Sequence, residues 1–355
     1  MQNLIDEKPS KKNYDFIDHI RCLAMMSIVF EHCFGDRKFP MFSDKFWVYL
    51  SWVELTKFGT VAFFLLAGFL ISDKFTDYTP SQYLKRRFST TFGPWLFWSV
   101  MFNIFMVITL HITEGMYHDG RFTLAHILEN IKITYFYTNY WFIINFMVSI
   151  TILLIFKRYL YSKVFGSVLL AFTLFYCVNI HYEWIDPSHT VAIMGFIFFL
   201  WLGAQLRKHW TPINQWIEGI PYTALFIALI IVLGLSMYET IALMHHGSRD
   251  PYNTLRFSAV VYALLFFMLL LKYKKFSGLN YLKPRQTTYG IYLIHYIIFT
   301  YLLNEILMHL PIDENSLSAA GFALYRIFAF VIVYTITWIV VTLINKTPLK
   351  VLVGN

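Results

Sequence analysis

Residues 16–34 read FIDHIRCLAMMSIVFEHCF, an apolar run that holds Asp18, His19, Arg21, Glu31 and His32. Inside a bilayer each ionisable side chain costs about 2.5–3.5 kcal/mol on insertion scales, so each needs a reason. Arg21 and His32 are eleven residues apart. On an α-helix that is three turns plus roughly 20°, which puts both on nearly the same face, about 16 Å apart along the axis. A fixed cation and an imidazole so arranged can hold the anionic end of a long substrate and its reactive end. Imidazole is the side chain best poised for proton transfer near neutral pH. Asp18, one turn before Arg21, is placed for an i,i+3 pair that lowers the cost of burying the guanidinium. Glu31 adjoins His32 but points about 100° away, which makes it a poor orienting carboxylate. The plain alternative is an Arg21 that snorkels to the headgroups and a His32 that rests at the opposite interface.

The elements that carry these residues follow from composition. Of 355 residues 57% are apolar and 14% are charged, against roughly 25% charged in a typical globular protein. Phe contributes 36 residues, Tyr 24 and Trp 10, and the mean hydropathy is +0.53. Too few polar side chains remain to cover a water-soluble fold of this size. Disorder and a secreted disulfide scaffold are excluded, and the composition weighs strongly against a soluble enzyme. The expected fold is all-α, a polytopic transmembrane helix bundle embedded in a lipid bilayer, since a bilayer core needs about 20 apolar residues per helix. About ten spans are expected, over 16–34, 56–72, 92–112, 136–156, 163–180, 189–206, 220–244, 254–272, 286–308 and 318–345.

Ten spans put both termini on one side. About 19 Lys and Arg fall on that side and about 8 on the other, so the termini are expected to be cytoplasmic. The organisation is then a cytoplasmic segment 1–15, a transmembrane domain 16–345 and a cytoplasmic tail 346–355, in a multi-pass protein of the plasma membrane. The first span is expected to be retained, because no small-residue cleavage site follows it. The net charge of +8 lies in short clusters between apolar runs, which fits this orientation and does not call for nucleic acid. Cys22, Cys33 and Cys177 lack metal-ligand spacing and read as small apolar residues; no metal is expected.

The Arg-x10-His pattern of the first span resembles the signature of the membrane-bound acyltransferase-3 family. GTVAFFLLAGFLIS (Gly59 to Ser72) is similar to that family's Gly-x-x-x-Phe-Phe-x-x-Ser-Gly-Phe-Leu-Ile second span. YLKRRFSTTFGP (Tyr83 to Pro94) resembles its Arg-Arg-x-x-Arg-x-x-Pro segment. YWFI (Tyr140 to Ile143) and TYGIYLIH (Thr288 to His295) resemble its fourth-span and late Tyr-Gly-x-Tyr-Leu-x-His segments. The matches occur in family order from about residue 15 to 300.

The resemblance implies an integral O-acyltransferase. It would move an acyl group, acetyl by default, from cytoplasmic acyl-CoA to a hydroxyl of an extracytoplasmic or lipid-linked glycan. The donor is a substrate rather than a permanent cofactor, and the reach of its pantetheine arm is of the order of the Arg21–His32 spacing. His32 is then the catalytic base, and Arg21, Arg86 and Arg87 bind the donor. The family's third arginine is absent, with Thr90 in its place, and Pro94 falls one residue late. The basic site is one charge short unless Lys85 supplies it. Ala67 replaces the second-span serine, so a catalytic hydroxyl there is excluded. The alternative for Lys85, Arg86 and Arg87 is a boundary cluster that serves orientation alone.

Secondary candidates are Asp18, Glu31, Trp141 and His295. His295 is a second imidazole or a hydrogen-bonded bundle residue. Trp141 and Tyr140 line an acceptor cleft or simply pack. Arg326 needs a partner, and Glu305 is the expected one. The rival function is a transporter or flippase for a glycan or lipid-linked sugar, although no pair of broken spans recurs in corresponding halves.

Overall fold

The computed structural model describes residues 15–35, 38–72, 78–118, 120–274, 276–308 and 312–355. The proposed N-terminal cytoplasmic segment therefore lies outside the described residues except for Asp15, as do Arg37, Lys74 and Lys275 of the charge count. Helix α1 is Asp15–Phe34, α2 Asp44–Thr56, α3 Phe58–Ser72, α4 Pro80–Arg87 and α5 Gly93–Tyr117. Then come α6 Leu124–Tyr137, α7 Trp141–Ile155, α8 Lys163–Tyr182, α9 Ile193–Lys208 and α10 Trp210–Gly219. The chain ends with α11 Tyr222–His245, α12 Phe257–Tyr273, α13 Pro284–Ile297, α14 Asn304–Met308 and α15 Ala319–Ile344. No strand occurs among the described residues, so the protein is all-α.

Each of the ten expected spans contains a helix. Among the described residues six helices are long and apolar enough to cross a bilayer by themselves: Asp44–Ser72, Pro80–Tyr117, Lys163–Tyr182, Tyr222–His245, Pro284–Leu307 and Ala319–Ile344. The pair α6 and α7, bent by 53°, makes a seventh when taken as one span. Helix α1 falls outside this set because Asp15, Asp18, Arg21 and Glu31 interrupt its apolar run. Helices α9 and α12 have 16 and 17 residues, short of the ~20 that cross a bilayer upright. The short second span is extended by the aromatic helix α2 before it, since α2 and α3 form one unit of 29 residues broken at Lys57.

Helix α1 sits at the centre, packed against α2, α3, α13 and α15. Its polar face is thereby turned inward, away from lipid. The most intimate crossing is α3 on α9. A Cβ at Gly68 would strike the Leu200 carbonyl, and one at Gly203 the Leu65 carbonyl, so both glycines are needed for backbone to touch backbone.

Charge buried in the bundle is neutralised in place. Arg256 Nη2 donates to both oxygens of Glu54 at 2.7 Å, with both side chains fully buried. Ser236 and Thr240 hydroxyls donate to the same carboxylate at 2.5 and 2.8 Å. This network ties α2 to α11 and α12. Arg256, at the outer end of the expected span 254–272, is an interior cation whose partner lies 202 positions away. Arg326 is also corrected: its partner is Glu314 in the 312–318 loop rather than Glu305, and its Nη1 donates to the Cys33 carbonyl at 2.9 Å.

Candidate active site

A cavity of about 280 Å³ runs beside α1 and is lined at one end by Arg21 and at the other by His32. The helical spacing of these two residues therefore brings both to one interior space. Asp18 Oδ1 accepts from Arg21 Nη1 at 3.0 Å, as the i,i+3 spacing requires.

Arg87 and Arg285 join Arg21 on the cavity wall, and each lies close enough to Arg21 to act on it electrostatically. Arg87 ends α4, whose start is fixed by a capping box. Thr79 Oγ1 accepts from Gln82 N at 3.3 Å and Gln82 Oε1 from Thr79 N at 3.1 Å, with Pro80 in the first turn. Arg87 is oriented by the Tyr83 hydroxyl, which accepts from its Nε at 2.7 Å. Arg86, one position earlier, turns about 100° away. It donates to Tyr78 Oη at 3.0 Å, is exposed and is not part of the cavity wall, and the same holds for exposed Lys85. Of the expected donor-binding arginines, Arg21 and Arg87 are together and Arg86 stands apart.

Residues Phe88–Phe92 form a π-helical turn that leads into α5, with Gly93 N–H donating to the Phe88 carbonyl. A π turn absorbs one extra residue within a helix. That accounts for Pro94 falling one residue late, and it brings Thr90 and Thr91 to the cavity wall. The third cation comes from Arg285, not from Lys85. Pro284 opens α13 and Arg285 stands in its first turn, where a cation runs against the helix dipole. Helix stability therefore does not explain its position. Ala67 also lines the cavity, where the resembling motif has serine.

At the other end His32 is partly exposed to two spaces. It lines the cavity just described and a second, more polar pocket of about 1080 Å³ that also contains Glu31, Lys57, His189, Tyr252 and Phe299. Trp141 is the one other residue common to both walls among the described residues. Trp141 is stacked on His189 with ring centroids 4.7 Å apart and planes 19° apart. Tyr140 lines neither space. It is fully buried, and its hydroxyl donates to the Leu293 carbonyl at 3.2 Å.

The His32 ring lies 5.4 Å from that of His295 and 5.3 Å from that of Tyr296, centroid to centroid. His295 is fully buried, and its Nδ1 faces the carbonyls of Ile291 and Tyr292 at 3.0 and 2.9 Å. Carbonyls accept only, so Nδ1 carries the proton and Nε2 is left as an acceptor. That Nε2 has no hydrogen-bond partner among the described residues. Glu31 is turned from His32 and accepts from Lys57 Nζ at 2.5 Å, which anchors α1 to the break between α2 and α3.

The geometry describes a multi-pass helical membrane protein with three clustered guanidiniums at one end of an interior cavity and a paired imidazole at the other. A family model described as an acyltransferase domain matches residues 14–342, essentially the whole chain. The chain belongs to the acyltransferase-3 family and is a membrane acyltransferase. No curated protein and no solved structure matches it.

Proposed function

We propose that the protein takes an acyl group, acetyl by default, from acyl-CoA and transfers it to a hydroxyl of a glycan or lipid-linked sugar on the other face of the plasma membrane. The observation that carries this reading is that His32 lines both interior spaces, one ending in three arginines and the other a wide polar pocket. The arginine end takes the donor phosphates, since guanidinium pairs well with phosphate oxygens. A volume of about 280 Å³ is at the lower end for ligand pockets, so it suits a slender arm with the nucleotide held outside at the arginines. The bias of basic residues in the sequence supports a cytoplasmic position for this end and for both termini.

The acceptor hydroxyl approaches through the polar pocket. His32 removes its proton, and the alkoxide attacks the thioester carbonyl. The tetrahedral intermediate then expels the CoA thiolate, which takes the proton back from the imidazolium. His295, its Nδ1 proton committed to two backbone carbonyls, packs its ring 5.4 Å from that of His32 and acts as a positioning residue behind the base. The apolar walls formed by Phe63, Phe142 and Phe146 limit hydrolysis of the thioester.

The test is purified protein in lipid nanodiscs with radiolabelled acetyl-CoA and a lipid-linked oligosaccharide pool. Transfer of label that is lost in His32→Ala supports the reading. Protein that leaves acetyl-CoA untouched while it moves sugar across a vesicle membrane refutes it in favour of a transporter.

A further inference from the structure

The two interior spaces meet where they share a wall, and among the described residues only His32 and Trp141 stand on both walls. On the proposed function the donor enters by one space and the acceptor by the other. The carbonyl group that changes hands then lies between these two side chains. An imidazole can take up a proton, whereas an indole N–H can only donate a hydrogen bond.

The broken span places Trp141 there, as the first residue of α7, just past the 53° bend from α6. The stacked ring of His189 covers one of its faces, with centroids 4.7 Å apart. Phe196 and Phe142, at 5.3 and 6.0 Å, confine it further. Several other interior indoles are spent on the backbone. Trp95, Trp98, Trp201 and Trp338 donate to the carbonyls of Tyr140, Leu352, Leu160 and Leu282 at 2.6–3.1 Å. Trp141 Nε1 donates to no described residue. Nor is it closed off: it keeps accessible surface, in a half-buried side chain whose ring lines the two spaces.

A held ring with an unspent, reachable N–H suits a substrate atom that gains negative charge. The acceptor hydroxyl has the opposite need, since His32 must take its proton. The thioester carbonyl oxygen becomes an anion in the tetrahedral intermediate and calls for a donor. We infer that Trp141 is a second catalytic residue, whose Nε1–H donates a hydrogen bond to that oxygen. As the alkoxide adds to the carbonyl carbon, the C=O π pair moves onto oxygen, and the indole steadies it without releasing its own proton. The pair then returns to carbon, the C–S bond breaks and the thiolate leaves. The assignment rests on the acyl-transfer reading above and deepens it.

The experiment uses full-length protein in nanodiscs, a lipid-linked oligosaccharide pool, and two donors: acetyl-CoA and its dithioester analogue, in which sulfur replaces the carbonyl oxygen and accepts hydrogen bonds poorly. With acetyl-CoA, Trp141→Phe should lower kcat about 10²- to 10³-fold and change the dissociation constant less than about twofold. With the dithioester the same variant should lose far less. Equal losses with both donors would assign Trp141 to packing alone and overturn the inference, as would wild-type kcat in the variant. Should Trp141→Phe not fold, benzothienylalanine introduced at position 141 keeps the size and stacking of the indole and lacks only the N–H, and the same outcomes decide. Wild-type protein that neither binds acetyl-CoA nor transfers its acetyl group removes the acyl-transfer reading itself.

Discussion

The imidazoles of His32 and His295 face each other at 5.4 Å, one from the central helix α1 and one from α13 packed against it. The contact joins residues far apart in sequence, and the inner ring has its protonated nitrogen already committed to two backbone carbonyls. The two rings are in contact without a hydrogen bond between them, so His295 packs behind His32 without fixing its tautomer.

His32→Ala should lower transfer roughly 10²- to 10⁴-fold, the usual contribution of a general base, while the protein still inserts and unfolds at nearly the wild-type temperature. His295→Ala should lower kcat by less and leave the donor KM unchanged. Label transfer and thermal unfolding on the same preparations check both. Wild-type kcat in His32→Ala would remove it as the base.

The arginines should divide two against one. Arg87→Ala and Arg285→Ala remove charged partners of the donor phosphates and should raise the acyl-CoA KM roughly tenfold to a hundredfold. Arg86→Ala should change it less than about twofold, because its guanidinium is spent on Tyr78 outside the cavity. Initial-rate kinetics over a range of donor concentrations decide the matter, and equal effects at Arg86 and Arg87 would contradict the geometry.

Removing one partner of the Glu54–Arg256 pair should cost about 3–5 kcal/mol by leaving a buried charge uncompensated. The double replacement Glu54→Leu with Arg256→Met should recover most of the loss. Melting temperatures of the two single variants and the double variant close the cycle.

Gly203→Val should abolish accumulation of folded protein, because the added carbons fall on the backbone of α3 with no side chain able to give way. Gly234→Ala, where a Cβ meets nothing, should accumulate as wild type does. Size-exclusion profiles of detergent extracts provide the measurement.

The part of the site legible in the sequence is the part that lies on one helix. Arg21, His32 and Asp18 are related by the α-helical period alone, and the structure keeps that relation. Arg285 was hidden because a basic residue at a span boundary is equally well explained by membrane orientation, and only its conflict with the α13 dipole hinted otherwise. Arg86 and Arg87 are adjacent and chemically identical, so a 100° rotation that the sequence does not reveal decides which one faces inward. The Glu54–Arg256 pair was not legible, since nothing local announces a partner 202 positions away. The helices themselves were legible as apolar runs. Which of them cross the bilayer unaided was less so, because α1, α9 and α12 are too polar or too short to qualify alone and depend on neighbours.

His32 and Trp141 are all that the two interior spaces have in common among the described residues. An enzyme divided by such a partition hands over a small acyl fragment while the bulky carrier stays behind, and no continuous water column need ever open. On the proposed function, molecules beyond the membrane would be modified with an energy-rich compound from within, without draining an ion gradient at each turnover.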